Sequence, residues 1–217
     1  MTNVNNNQII IIGCGPGDEL YLTSAAKEYI EQADVLVGAD KLLKRYGTDK
    51  KRCITISSDM QMVFRSIQNC IDDNKAVTVL VTGDPGIASL SRPIINFFGK
   101  ERCLCIPGIS SIQLACARLC IDWTEALIIN AHKTVPSFSP HNIPDKDIII
   151  ILCGNKISWN WILHAAQKID KNYQGFHCVN LASLEEAITE TTFDTLQKLP
   201  EGGGNAVLVW IRKEYNI

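Results

Sequence analysis

No apolar run in this chain of 217 residues approaches the roughly 20 that a membrane-spanning helix needs. The runs present, such as residues 148–153, have the length of a buried strand. A basic excess is missing too. Lys and Arg number 21 against 23 Asp and Glu, a net charge of −2, so no cationic field offers DNA or RNA a phosphate-binding face. Neither C-x-x-C nor H-E-x-x-H occurs. The nine cysteines, an odd number, sit mostly in apolar segments, so reduced buried thiols are expected, without a disulfide framework or a metal site. Residues 1–8 are polar and asparagine-rich, unlike an export signal, and are expected to form a frayed tail. A cytoplasmic globular protein without a membrane or nucleic-acid partner is what remains, and its 46% hydrophobic content supplies an ordinary core.

Such a length fits one large domain or two small ones. The β-branched run 8–12 predicts a strand that ends in glycine. Thr23 is placed to cap a helix over 24–32. Strands are predicted over 34–38, 52–56, 76–81 and 102–106, with helices over 41–46, 60–72 and 90–98 between them. A further helix opens at Ser110 or Ser111 and carries Ile112, Ala115, Cys116 and Leu119 on one face. This alternation predicts a mainly parallel sheet covered by helices. The second half changes character. Strands are predicted over 126–131, 147–153, 176–181, 186–193 and 206–212, with one helix over 159–168 and a proline-containing loop over 135–145. Strands with so little helix between them predict a mixed sheet. The expected architecture is therefore α/β and two-lobed, 8–109 and 110–217, with a cleft between the lobes.

Three loops follow predicted parallel strands, where open α/β sheets bind ligands. The first is Gly13-Cys14-Gly15-Pro16-Gly17-Asp18. A dinucleotide fingerprint would have glycine where Asp18 stands, and a carboxylate there repels a pyrophosphate. The second is Gly83-Asp84-Pro85-Gly86 and the third Pro107-Gly108-Ile109-Ser110-Ser111. Each can also be read blandly, as a strand-to-helix turn, a β-turn and a helix cap. All three on one sheet edge imply a binding cleft without naming its chemistry.

In this order the loops resemble the tetrapyrrole methylase family. Its pattern runs G-x-G-P-G-D with a following L-T, here Leu22-Thr23, then G-D-P, then P-G-x-S-S. Ala33-Asp34-Val35-Leu36-Val37-Gly38, the segment around Gln113, Ala115 and Arg118, and Asp122-Trp123 look like the members that methylate C5 of a precorrin. Those members continue with Ser-x-His-Gly-Arg, whereas this chain has Asn130-Ala131-His132-Lys133-Thr134. The resemblance implies a bilobal dimer that uses S-adenosylmethionine to methylate C5 of (cobalt-)precorrin-7 in cobalamin biosynthesis. A separate C15-methylating decarboxylase is the partner it suggests. By motif position, Pro16, Gly83, Asp84, Ile87, Ser110 and Ser111 would line the donor site, with Cys153, Leu181, Asn205 and Ala206 as looser matches. Gly15, Asp18, Arg92 and Lys133 are assigned to the acceptor.

A sulfonium methyl needs alignment and exclusion of water more than an enzymic nucleophile. A proton released after methylation could be taken by His132 or by a carboxylate of the acceptor itself. The acceptor's carboxylates call for cations, for which Lys41, Lys44, Arg45, Arg92, Arg118 and Lys133 are available. The alternatives are another ring position, an acceptor such as a modified histidine, a nicotinamide-dependent oxidoreductase, and a silent ligand-binding subunit.

Overall fold

A computed structural model of the chain describes residues 8–154, 156–200 and 206–215. The expected tail lies, up to residue 7, outside the described residues. Two compact units divide the chain, Met1–Ser110 and Ser111–Ile217.

The first unit is a five-stranded parallel sheet: β1 (Ile9–Gly13), β2 (Val35–Gly38), β3 (Arg52–Thr55), β4 (Val77–Val81) and β5 (Cys103–Ile106), in the order β3-β2-β4-β1-β5. Helices α1 (Ser24–Gln32) and α2 (Asp40–Tyr46) follow β1 and β2; α3 (Met60–Asp72) and α4 (Ser91–Phe98) follow β3 and β4. Both faces of the sheet are covered. Ile9, Ile11, Val35 and Val79 pack with Phe64, Ile67 and Ile94 of α3 and α4. Ile10, Ile12, Leu36 and Leu80 pack with Ala26 and Ile30 of α1 and Leu42 and Leu43 of α2. That is why β1, β2 and most of β4 are apolar at successive positions rather than alternately. Right-handed crossovers explain the division of helices, since the chain steps one way from β1 to β3 and back from β3 to β5. Thr23 caps α1 as expected, its Oγ1 accepting the Ala26 N–H at 3.2 Å.

The order has a functional consequence. After β1 the chain turns toward β2, and after the neighbouring β4 it turns toward β5. This is a switch point, where diverging connections leave a crevice at the carboxyl edge.

In the second unit, α5 (Ser111–Arg118) is followed by a sheet in the order β6-β7-β10-β8-β9. Its strands are β6 (Leu127–Asn130), β7 (Ile148–Leu152), β8 (Tyr173–Val179), β9 (Ala187–Thr191) and β10 (Ala206–Arg212). Strands β6 and β7 are parallel and the other pairs antiparallel, so the expected mixed sheet is present. Helix α6 (Trp159–Ile169) covers one face, its Trp159, Ile162 and Ala165 packing on Ile149, Ile151, Leu208 and Trp210. Two expectations are corrected. Strand β8 begins three residues early, at Tyr173, and Leu181 lies beyond its end. Phe193 opens a short helix, α7 (Phe193–Leu196), instead of closing a strand, because Thr192 and Thr195 cap each other.

Candidate functional site

The three glycine loops of the first unit are stitched together at the switch point. Cys14 N–H donates to the Val81 carbonyl at 2.8 Å. Gly83 N–H donates to the Gly15 carbonyl at 2.8 Å, and Gly15 N–H returns a bond to Gly83 at 3.2 Å. Gly108 closes the group, for a Cβ there would sit 2.3 Å from the Gly83 carbonyl oxygen and 2.6 Å from that of Gly13. No side chain fits. Gly83 also has a φ of +70°, which favours glycine.

Asp84 ties the second loop to the third. Its Oδ1 accepts the Gly86 N–H at 2.7 Å and its Oδ2 the Gly108 N–H at 3.0 Å. Both oxygens are thus already at work within the protein, each with a further lone pair left over. Ser110 is buried, and Pro16 and Ile87 are half-buried. Asp18 is exposed and caps a single 3-10 turn, its Oδ1 accepting the Leu20 N–H at 2.8 Å.

A pocket of about 440 Å³ opens beside these loops, lined by Asp84, Gly86, Arg92, Asn96, Cys105 and Pro107 among others. Its size suits a small molecule or one edge of a larger one. Arg92 and Asn96 stand one helical turn apart on α4. The Ser89 hydroxyl donates to the Pro85 carbonyl at 2.6 Å, with Ser91 donating to the same oxygen, and this fixes the pocket's floor. Burial, then the nearby Asp84 charge, pushes the Cys105 thiol above its ordinary value.

In the second unit, Cys153, Leu181 and Ala206 gather at one end of the sheet. Cys153 follows β7 and its N–H donates to the Ala206 carbonyl at 2.9 Å. Ala206 opens β10 opposite Val179, the last residue of β8, and Leu181 stands two residues on. Ser111 opens α5. Asn205 lies outside the described residues. Burial pushes the Cys153 thiol up to about 12, and Cys14 likewise to about 12. Both therefore remain protonated at neutral pH and are poor nucleophiles.

His132 stands just past β6. Its Nδ1 lies 2.8 Å from the Cys153 carbonyl oxygen. A carbonyl can only accept, so the bond assigns the proton to Nδ1 and leaves the Nε2 lone pair available in the neutral ring. A Cβ on Gly154 would lie 2.0 Å from Nδ1, so glycine there is what admits the imidazole. Lys133 is exposed beside it.

Several of the expected cations are engaged by the chain itself. Lys44 pairs with Asp40 at 2.7 Å, Arg45 donates to the Gly17 carbonyl, and Arg118 pairs with Glu186 at 2.6 Å. Arg92 is the one that lines the pocket. Sequence reasoning placed Pro107 at the cleft but missed Asn96 and Cys105. Asn96 was legible as the position four after Arg92, whereas which side of β5 faces the pocket carries no sequence signal.

The pattern that defines the Tetrapyrrole (Corrin/Porphyrin) Methylases matches residues 8–197. A probable cobalt-precorrin-7 C(5)-methyltransferase of Methanocaldococcus jannaschii is 36% identical over 126 residues, 57% of this chain and 60% of that one. The cobalt-precorrin-7 C(5)-methyltransferase of Salmonella typhimurium is 30% identical over 130 residues, 60% of this chain and 64% of that one. The chain thus spans somewhat under two thirds of these curated relatives. Among solved structures, the precorrin-6Y methylase of Archaeoglobus fulgidus superposes with a TM-score of 0.69 at 25% identity, covering 96% of this chain and 99% of that one. A cobalt precorrin-4 methyltransferase gives a TM-score of 0.77 at 17% identity, over 94% and 95% of the two chains, which shows the shared fold. The family pattern covers most of the chain, and the chain belongs to the tetrapyrrole methylase family.

Proposed function

We propose that this chain is an S-adenosylmethionine-dependent C-methyltransferase of cobalamin biosynthesis, acting on C5 of precorrin-7 or its cobalt form. The observation that carries the reading is the three-loop junction at the switch point, in a chain whose relatives at 36% and 30% identity are named for that reaction. A relative 32% identical is named cobalt-precorrin-4 C(11)-methyltransferase, which makes C11 the second reading.

Pro16, Gly83, Asp84, Ile87 and Ser110 from the first unit, and Ser111, Cys153, Leu181, Asn205 and Ala206 from the second, would hold the donor. The bound donor supplies an electrophilic methyl on a sulfonium. The residues present suit such a group. Closely approached glycine backbones can reach a ligand, and Cys14 and Cys153 are kept as thiols that do not compete for the methyl. Gly15, Asp18, Arg92 and Lys133 serve the acceptor, Arg92 with Asn96 receiving a carboxylate at the pocket. When a methine carbon gains a methyl, its proton must leave to restore conjugation. The Nε2 of His132 is the group assigned to take it. Lobe 8–109 carries the acceptor and part of the donor site, and lobe 110–217 the rest of the donor site.

The reading includes a homodimer working in the cytoplasm, with a separate C15-methylating decarboxylase as partner. A relative 23% identical, of which the match covers 28%, is named precorrin-6Y C(5,15)-methyltransferase [decarboxylating]. Titration calorimetry with S-adenosylhomocysteine, and with NADH in parallel, tests the donor site. Micromolar binding of the first alone is expected, and NADH binding in its place would return the oxidoreductase reading. Methyl transfer to cobalt-precorrin-7 against cobalt-precorrin-4 separates C5 from C11.

A further inference from the structure

The turn after β8 is built against backbone preference. Asn180 and Ala182 hold φ of 51° and 61°, a left-handed region that alanine enters at a cost, and buried Leu181 lies between them. Two such residues in one turn need restraint from outside. Two local bonds help: Ser183 N–H donates to the Asn180 carbonyl, and Glu186 N–H to the Ser183 carbonyl, both at 3.1 Å. The decisive restraint is the Glu186 side chain. Its Oε2 accepts the Ala182 N–H at 2.7 Å, and its Oε1 accepts the Arg118 Nε–H at 2.6 Å.

Arg118 ends α5, the eight-residue helix that begins at Ser111. One short helix therefore carries a proposed donor residue at its first position and the anchor of the Leu181 turn at its last. The carboxylate stands in a favourable place, since Arg118 first and the Ala182 amide second hold its pKa below the usual range. The Glu186 side chain is 22% exposed and that of Arg118 41%, so the pair lies at the surface with its carboxylate the more covered end.

We propose that Glu186 is a positioning residue for the methyl donor: it clamps the 180–186 turn to Arg118 and so presents Leu181 in its left-handed setting. This rests on the reading that Leu181 lines the donor site. Glu186 acts through the turn. Its loss therefore weakens donor binding and leaves the chemical step unchanged once donor saturates.

Glu186→Ala, Glu186→Gln and Arg118→Ala are compared with the unaltered protein by S-adenosylhomocysteine calorimetry, thermal melting without ligand, and steady-state methyl transfer. In Glu186→Ala the Kd for S-adenosylhomocysteine and the KM for donor should both rise roughly tenfold, as for one lost charge-assisted bond, with kcat unchanged. Glu186→Gln keeps an acceptor for the Ala182 N–H and should recover most of the affinity. Arg118→Ala, with that bond intact, should lose less than Glu186→Ala. Equal Kd in all four proteins overturns the inference, as does a fall in kcat with KM unmoved. If Glu186→Ala does not fold, the other two variants decide by the same readings. An unaltered protein that binds no S-adenosylhomocysteine removes the donor reading itself, an outcome distinct from variants that bind like it.

Discussion

Asp84 shows how a residue chosen for one job does a neighbouring one. It was expected to offer an acceptor to the donor, and in the fold it holds the second and third loops at fixed spacing through Gly86 and Gly108. Asp84→Ala should therefore lose about 1–3 kcal/mol of stability as well as donor affinity, and Asp84→Asn, which keeps one acceptor, less of both. Urea denaturation with and without S-adenosylhomocysteine measures the two together. Gly108→Ala should be worse than either, because the obstacle 2.3 Å away is a backbone oxygen that cannot swing aside. His132 gives a different expectation. His132→Gln should lower kcat on the order of a hundredfold and leave the S-adenosylhomocysteine Kd unchanged, the signature of a lost base. An unchanged kcat would return this histidine to a packing role at the end of β6.

Strand β8 is where element and environment conflict. His177 pairs in register with Leu208 of β10 and Thr189 of β9, and its Nε2 is buried with no hydrogen-bond partner among the described residues. Burial lowers its pKa. The folded protein thus prefers the neutral ring, while the unfolded chain takes up a proton below about pH 6.5. This contribution is complete above that pH and is lost as pH falls below it. Replacing His177 with leucine should flatten the melting-temperature profile between pH 7 and 5 without lowering stability at pH 7, since an unpaired polar atom is removed. A profile of undiminished slope would place the titration elsewhere. The same strand shows why its start was misjudged. Tyr173 to Phe176 pair with Val209 to Arg212, and an extended partner prolongs a strand past the point where local pattern fades.

For the whole protein, pH and ligand act together. Arg212 holds Asp145 below the usual carboxylate range, as Arg118 holds Glu186. Depressed carboxylates add stability that is present above their ordinary pKa and lost as acid carries pH through the folded value. The stability curve should therefore be level at neutral pH and fall in two stages, the histidine stage first. Ligand adds to this by mass action: S-adenosylhomocysteine at a hundred times its Kd should stabilise the protein by about 2.7 kcal/mol, seen as a raised melting temperature, and NADH should add nothing. Equal melting temperatures with and without S-adenosylhomocysteine would contradict a donor site in the folded chain.

Periodicity and punctuation alone determined a good deal: the alternation of β1 to β5 with helices, the Thr23 cap, the mixed character of the second sheet, and the three glycine loops. Those features are local. A β-branched run ending in glycine, or hydrophobic residues at steps of three and four, expresses itself whatever the rest of the chain does. Only tertiary structure decided the strand order that puts β4 beside β1, and with it the switch point, the contact of Gly13, Gly83 and Gly108, and the turning of Asp84 toward a backbone amide 24 residues away. The same is true of the tautomer of His132, set by a carbonyl 21 residues distant, and of the Arg118–Glu186 clamp across 68. These depend on which distant segments meet, and a hydrophobic pattern says that a face is buried without saying against what.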